Sequence, residues 1–163
     1  MEKQTNIDVL YQIAVDRLDA QLKRVDGADT KIGVTFGLTN GITAALAAFI
    51  TSISHPVPQL VLIFATLVAI AYLVTLILLF FAYRYGRWSF NPDIKTLKDI
   101  CLNPQYHDYP DIVKTWVASE CTRSLEWNNR PMTIKIRRAY RAIGSVSAQG
   151  LFLAASCISY LLN

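Results

Sequence analysis

The strongest constraint on this chain is a pair of long uncharged segments that are separated only by a His-Pro turn. Residues 32–54 and 57–83 contain no Lys, Arg, Asp or Glu. Each segment exceeds the about 20 apolar residues that an α-helix needs to cross a bilayer. Most of the second segment is apolar on every face, and a chain of 163 residues is too small to surround such a helix with a soluble core. We therefore expect a transmembrane hairpin over residues 32–83.

A third uncharged segment, residues 142–163, follows a basic stretch from Lys135 to Arg141. Ser and Gln residues dilute its apolar character, but its length fits a third transmembrane helix. Of the 16 Lys and Arg residues, five precede the first span and eleven lie within residues 84–141, while none lies in the hairpin turn. Because Lys and Arg are enriched on the cytoplasmic side, we expect a multi-pass protein with a cytoplasmic N-terminus.

Helices are expected in both cytosolic parts, before the first span and between the second and third spans. Residues 6–25 carry apolar side chains at spacings of three and four, so residues 1–31 should form a cytosolic amphipathic helix, with a hinge at the charged junction 26–31 that contains Gly27. Its apolar stripe could pack on the other cytosolic helices or on a second copy of itself. Residues 84–141 predict a cytosolic helical segment. The fold class is thus an all-α membrane protein.

The cytosolic segment 84–141 contains its own start and stop signals. Asn91 and Pro92 predict a short helix to about residue 102, since they supply an N-cap and a proline in the first turn. A second helix is expected from Asp108 to about Trp127, and Pro131 should begin the segment that leads into the third span.

Small residues recur in the first span. Gly33, Gly37, Gly41 and Ala45 are spaced by four, which places a smooth strip along one helix face and permits close contact with another helix. A chain with three spans has few helices with which to enclose water, so a membrane-disrupting protein of this kind would act as a homo-oligomer. This small-residue strip is the expected contact surface.

Polar side chains also occur inside the first span, where Asn40 lies between Thr39 and Thr43. Such groups are commonly used for hydrogen bonds between transmembrane helices. They could instead line a polar path through an oligomer. The sequence leaves both interpretations open.

Motifs for catalysis are missing from the sequence, which has no phosphate-binding glycine loop, nucleophile elbow or metal-binding His/Cys cluster. We therefore expect a protein that is not an enzyme and that has no catalytic residues, metal or cofactor. The net charge of +4 is better explained by the Lys and Arg residues that fix membrane topology than by nucleic-acid binding. Arg123 and Arg130, which lie far from the spans, are candidates for binding an anionic ligand.

The order of these elements resembles the transmembrane effectors of Pycsar, bacterial antiphage systems that use pyrimidine cyclic nucleotides. The resemblance covers almost the whole chain: the N-terminal helix, Ala28-Asp29-Thr30-Lys31 at the first span, the tight hairpin, a helical insert and a basic entry to the last apolar segment. It implies a nucleotide-activated effector of antiviral defence in the cell inner membrane. A partner pyrimidine nucleotide cyclase would make cyclic CMP or cyclic UMP, and activation would impair the membrane and cause abortive infection.

If a nucleotide is the signal, Arg123 and Arg130 would bind it in the cytosolic part, and Asp29 and Lys31 at the junction would couple binding to the spans. Two other classes remain open: an accessory or structural membrane subunit of a larger complex, and a small constitutive channel.

Overall fold

The computed structural model describes residues 6–53, 56–84, 99 and 110–162. Within these ranges the chain forms three helices and no strand: α1 is Asn6–Ser52, α2 is Gln59–Arg84 and α3 is Pro110–Leu161. All three are long and apolar enough to cross a membrane. The expected all-α membrane fold is therefore confirmed. Of the short helix predicted from Pro92 to about residue 102, the structure describes only Asp99, which is helical, and the rest lies outside the described residues.

The hinge expected at residues 26–31 is absent, because α1 is a single helix of 47 residues. Glycine in a helix costs about 1 kcal/mol relative to Ala. Packing offsets this cost around Gly27, since Val25 and Ala28 are buried with only 4% and 5% of their surface exposed. Burial of the neighbouring side chains thus outweighs the local preference of glycine.

The helix end expected near Trp127 is also absent, because α3 is a single helix of 52 residues with Pro131 inside it. Proline removes one backbone hydrogen bond, here the one that the Trp127 carbonyl would accept. Asn128 and Met132, on either side of the proline in the sequence, are buried. Their packing contributes to holding the helix together across Pro131.

Helix lengths show which segments must extend beyond a membrane. At 1.5 Å per residue, the 26 residues of α2 are about 39 Å long. The 47 residues of α1 and the 52 residues of α3 are about 70 and 78 Å long. Since the hydrocarbon core of a bilayer is about 30 Å thick, α2 matches one span, whereas α1 and α3 each exceed one.

The chain divides into two compact units. One comprises Met1–Asp26 and Gly86–Thr133, and the other comprises Gly27–Tyr85 and Ile134–Asn163. We call them the amphipathic unit and the span unit, because the span unit contains all of α2 and most of the uncharged sequence. Helices α1 and α3 each contribute one part to both units.

In the amphipathic unit, the N-terminal part of α1 packs on the N-terminal part of α3. Ala14 and Leu18 form a buried cluster with Ala118 and Cys121. The stripe predicted for residues 6–25 therefore contacts another helix of the same chain, which is one of the two partners that the sequence left open. Gln21 donates a hydrogen bond from Nε2 to the Leu125 carbonyl at 3.1 Å.

In the span unit, all three helices pack together through small apolar residues. One cluster joins Ile32 and Leu79 to Ala139 and Ala142, and Ala82, with 0% exposure, lies within it. A second cluster consists of Leu46, Ala65 and Val68, with Phe152 and Leu153 packed against it. Helices α1 and α3 run in the same direction here, whereas α2 runs against both. Large apolar side chains on the outer faces remain exposed, as expected of surfaces that contact lipid.

Candidate functional site

A layer of hydrogen bonds joins the three helices of the span unit. The Thr39 hydroxyl on α1 donates to Oε1 of Gln149 on α3 at 2.8 Å. Nε2 of Gln149 donates to the Thr75 hydroxyl on α2 at 2.9 Å. All three side chains have 0% exposure. One side-chain amide therefore binds both helices of the hairpin to the third helix.

The polar atoms of this layer are matched donor to acceptor. Thr75 accepts from Gln149 and donates to the Ala71 carbonyl at 2.8 Å, and Ser145 donates to the same carbonyl at 3.0 Å. Because a buried polar atom without a partner costs about 1–3 kcal/mol, this matching makes the layer specific for one register of the three helices. Of the two roles expected for Thr39, hydrogen bonding between helices is the one it performs in the single chain.

Asn40 forms a second polar contact, between α1 and α2. Its Oδ1 accepts a hydrogen bond from the Tyr72 hydroxyl at 3.0 Å, and its Nδ2 donates to the Phe36 carbonyl at 2.9 Å. Thr43, the third polar residue in this part of the first span, donates to the Thr39 carbonyl of its own helix at 2.9 Å. Asn40 and Thr43 therefore lie outside the three-helix layer.

An ion pair joins α1 to α3 at the start of the span unit. The Lys135 ammonium lies 2.5 Å from Oδ1 of Asp29, with 4% of the Lys135 side chain exposed and 45% of the Asp29 side chain exposed. Lys31 donates to the Tyr140 hydroxyl at 3.2 Å, and its ammonium lies 4.8 Å from the centre of that ring. Asp29 and Lys31, the expected coupling residues, thus both contact α3.

Basic and aromatic residues mark the same end of the span unit. Arg138 donates to the Phe81 carbonyl at 3.0 Å, and its guanidinium lies 5.5 Å from the ring centre of Phe81. Tyr83 and Arg84 at the end of α2 are exposed. Because such residues favour the boundary between hydrocarbon and headgroups, this end of the span unit belongs at a membrane surface.

The glycines of the first span lie on an open face of α1. Gly33, Gly37 and Gly41 are exposed, and a Cβ atom added to any of them would meet no atom of the described residues within 4 Å. Ala45 is exposed as well. Among the described residues, the small-residue strip therefore takes no part in helix packing, and its surface is open to a partner.

The candidate ligand residues lie on α3 in the amphipathic unit. The Arg123 side chain is 83% exposed, and its Nη1 lies 3.8 Å from Oε1 of Glu120. Arg130 is also exposed. The two are seven residues apart, so they lie on the same side of the helix and about 10.5 Å apart along its axis.

The amphipathic unit also buries several polar groups. Ser124 and Asn128 are 3% and 0% exposed, and Oε1 of Gln21 is buried and has no hydrogen-bond partner among the described residues. Lys114 pairs with Asp8. Burial raises the pKa of the nearby Cys121 thiol above its ordinary value, and the Glu120 carboxylate adds to this shift. In the part of the chain that the structure describes, no group of His, Cys, Asp or Glu could hold a metal ion.

Two members of the three-helix layer, Thr75 and Gln149, were not predicted as site residues. The available signal was a side-chain amide inside an uncharged run, since such a group needs a partner in a membrane. Spacing could not identify that partner, because Thr39 and Gln149 are 110 residues apart in sequence.

Comparisons of this chain with models of known protein families, with characterised proteins and with solved structures find no match.

Proposed function

We propose that this protein is a ligand-activated effector that works as a homo-oligomer in the bacterial inner membrane. The ligand is cyclic CMP or cyclic UMP from a partner pyrimidine nucleotide cyclase, as the resemblance to Pycsar effectors implies. Activation impairs the membrane and halts phage replication by abortive infection. The proposal is supported above all by the continuity of α1 and α3, each of which runs without a break from the amphipathic unit into the span unit.

Continuous helices supply a route from a ligand to the membrane. Both α1 and α3 have parts in each unit, so a ligand that shifts α1 against α3 in the amphipathic unit would act on helices that continue into the span unit. Asp29 and Lys31 contact α3 just inside the span unit, at Lys135 and Tyr140. A shift of α1 against α3 would therefore change these contacts.

The energy required is available from a few contacts. Moving a two-state equilibrium from 1:99 to 99:1 takes roughly 5.5 kcal/mol of differential affinity. Hydrogen bonds to charged groups contribute about 1.5–3 kcal/mol each, so two to four of them are enough. Arg123 and Arg130 offer guanidinium groups, which suit the single phosphate of a cyclic nucleotide.

Membrane damage requires more than one copy under this proposal. Thr39, Thr75 and Gln149 are used in hydrogen bonds between the helices of a single chain, which leaves little polar surface for a water path. The open strip of Gly37, Gly41 and Ala45 allows close approach of a helix from a second copy. A path between copies can then form when the helices shift.

Ligand binding is tested by calorimetry on the detergent-solubilised protein with cyclic CMP and cyclic UMP. We expect Arg123→Ala and Arg130→Ala to weaken binding, whereas Arg24→Ala, at an exposed position of α1 in the same unit, should not. Asp29→Ala or Lys31→Ala should leave binding intact but abolish depolarisation, measured with a voltage-sensitive dye in cells that express the cyclase. If the wild type binds neither nucleotide, the nucleotide proposal is discarded in favour of an accessory membrane subunit.

Assembly is tested by crosslinking in membranes. We expect Gly37→Leu and Gly41→Leu to reduce the oligomer, since a leucine side chain prevents close approach of two helices. Gly144→Leu is the matched control, because Gly144 is exposed on α3 and an added Cβ there also meets nothing within 4 Å. An unchanged oligomer in both α1 variants would show that this strip is not the interface.

A further inference from the structure

A groove of about 550 Å³ runs between α1 and α2 in the span unit. Its apolar wall includes Ile32, Phe36, Leu76 and Phe80, and Gly33 also lines it. The volume lies within the range of about 300–1,000 Å³ that is typical of sites for small molecules. Since the groove lies on helices that are apolar and long enough to cross a membrane, an acyl chain is the natural occupant of its apolar part.

The same groove ends in polar groups. Asp29 and Tyr83 line it, and Asp29 is the one carboxylate among its lining residues. These residues lie at the end of the span unit where Lys31, Arg84 and Arg138 lie, which is the level of the lipid headgroups. An occupant that follows the groove thus has its apolar portion between the helices and its polar portion beside a carboxylate.

The Asp29 carboxylate has room for another donor. One oxygen accepts from Lys135, but two carboxylate oxygens offer about four acceptor positions, and 45% of the Asp29 side chain remains exposed. Lys135 is not among the lining residues and is almost fully buried, so the carboxylate is the member of the pair that faces the groove. The complementary headgroup is therefore a primary ammonium, which can both donate hydrogen bonds and supply positive charge.

From these observations we propose that the groove binds a phospholipid with a primary ammonium headgroup, of the phosphatidylethanolamine type. The ammonium donates to Asp29, the phosphate accepts from the Tyr83 hydroxyl, and an acyl chain lies along Gly33 and Phe36. A phosphatidylcholine headgroup carries the same net charge but cannot donate a hydrogen bond, and phosphatidylglycerol has no cation.

Native mass spectrometry of the full chain tests the proposal by measuring the affinity of added phosphatidylethanolamine and phosphatidylcholine. We expect the wild type to bind phosphatidylethanolamine roughly tenfold more tightly, which is the affinity gain from a weak hydrogen bond to a charged group. In Asp29→Ala, which removes the acceptor, the ratio should fall to about one. Because the ratio is taken within each variant, a general loss of stability does not change the conclusion.

Two further variants separate the groove from the rest of the surface. Gly33→Leu places a side chain in the groove and should weaken both lipids, whereas Gly144→Leu, on an exposed part of α3, should weaken neither. Equal affinities in the wild type, or a tenfold preference that persists in Asp29→Ala, would overturn the proposal. Disulfide formation between copies at Gly33→Cys, with lipid affinity unchanged in Gly33→Leu, would assign the groove to a second copy instead.

Discussion

The three-helix hydrogen-bond layer can be tested by replacing Thr39 with Val, which has the same shape but no hydroxyl. The change leaves Oε1 of Gln149 without its donor at a position with 0% exposure. An unsatisfied buried acceptor costs about 1–3 kcal/mol. Measured couplings between transmembrane helices average about 0.6 kcal/mol and reach about 1.7 kcal/mol. We therefore expect Thr39→Val to lower the free energy of unfolding by about 1–2 kcal/mol.

Replacing Gln149 by Leu has a different result, because both threonines keep a partner. Thr75 still donates to the Ala71 carbonyl, and Thr39 can donate to its own helix, as Thr43 does. With two hydrogen bonds lost, we expect a cost of about 1 kcal/mol. Once Gln149 is absent, Thr39→Val removes only a hydrogen bond within α1 and leaves no buried acceptor of another helix without its donor. The double variant should therefore cost little more than Gln149→Leu alone, giving a coupling energy of about 1 kcal/mol.

The assay is a double-mutant cycle on reversible unfolding in mixed micelles, with steric trapping as an independent measure. Thr66→Val is the matched control, since Thr66 is exposed on α2 and donates only to the Leu62 carbonyl of its own helix at 2.8 Å. Independent sites add to within about 0.3–0.5 kcal/mol. Additivity of Thr39→Val and Gln149→Leu within that range would refute the layer as a coupled unit.

Other perturbations test the topology, the buried thiol and the ion pair. A phosphatase that works only outside the cytoplasm should be active when fused after Asn163 and inactive after Asn103, and the reverse pattern would refute the topology. Because the pKa of Cys121 is raised, a water-soluble maleimide should react with it more slowly at pH 8 in the folded than in the unfolded chain. The folded state holds the thiol proton of Cys121 more tightly than the unfolded state does. The stabilisation that results is fully present below about pH 9 and is lost as the pH rises through the pKa of the folded state. Equal reaction rates in both states would contradict burial of the thiol. In the unfolding assay, Asp29→Asn should lower the free energy of unfolding by about 2 kcal/mol and Lys135→Met by about 1 kcal/mol. The larger effect is expected for Asp29→Asn because it takes the opposite charge away from Lys135, the more buried partner. A larger effect of Lys135→Met would contradict this reasoning.

The sequence predicted the three apolar helices and the apolar stripe of the N-terminal helix, because both depend on patterns within single segments. It did not predict that α1 and α3 are continuous. Gly27 and Pro131 are local signals for a break, and the burial that overrides them comes from residues far away in sequence. For the same reason Thr39 was recognised as a polar residue inside a span, but its partner Gln149 was not. The direction in which the small-residue strip faces also depends on how the helices pack, since the same glycines could have faced α2 or α3.

The dependence of Gln149 on two other helices bears on how the chain is inserted during synthesis. The last apolar segment carries Gln149 and Ser156, both fully buried in the folded chain, and polar residues near a helix centre oppose insertion into a bilayer. Thr39 and Thr75 are synthesised before Gln149, so both of its partners exist by the time the last segment is made. The hairpin thus offers hydrogen-bond partners to the final helix, and insertion of that helix should be less favourable in a chain made without the hairpin.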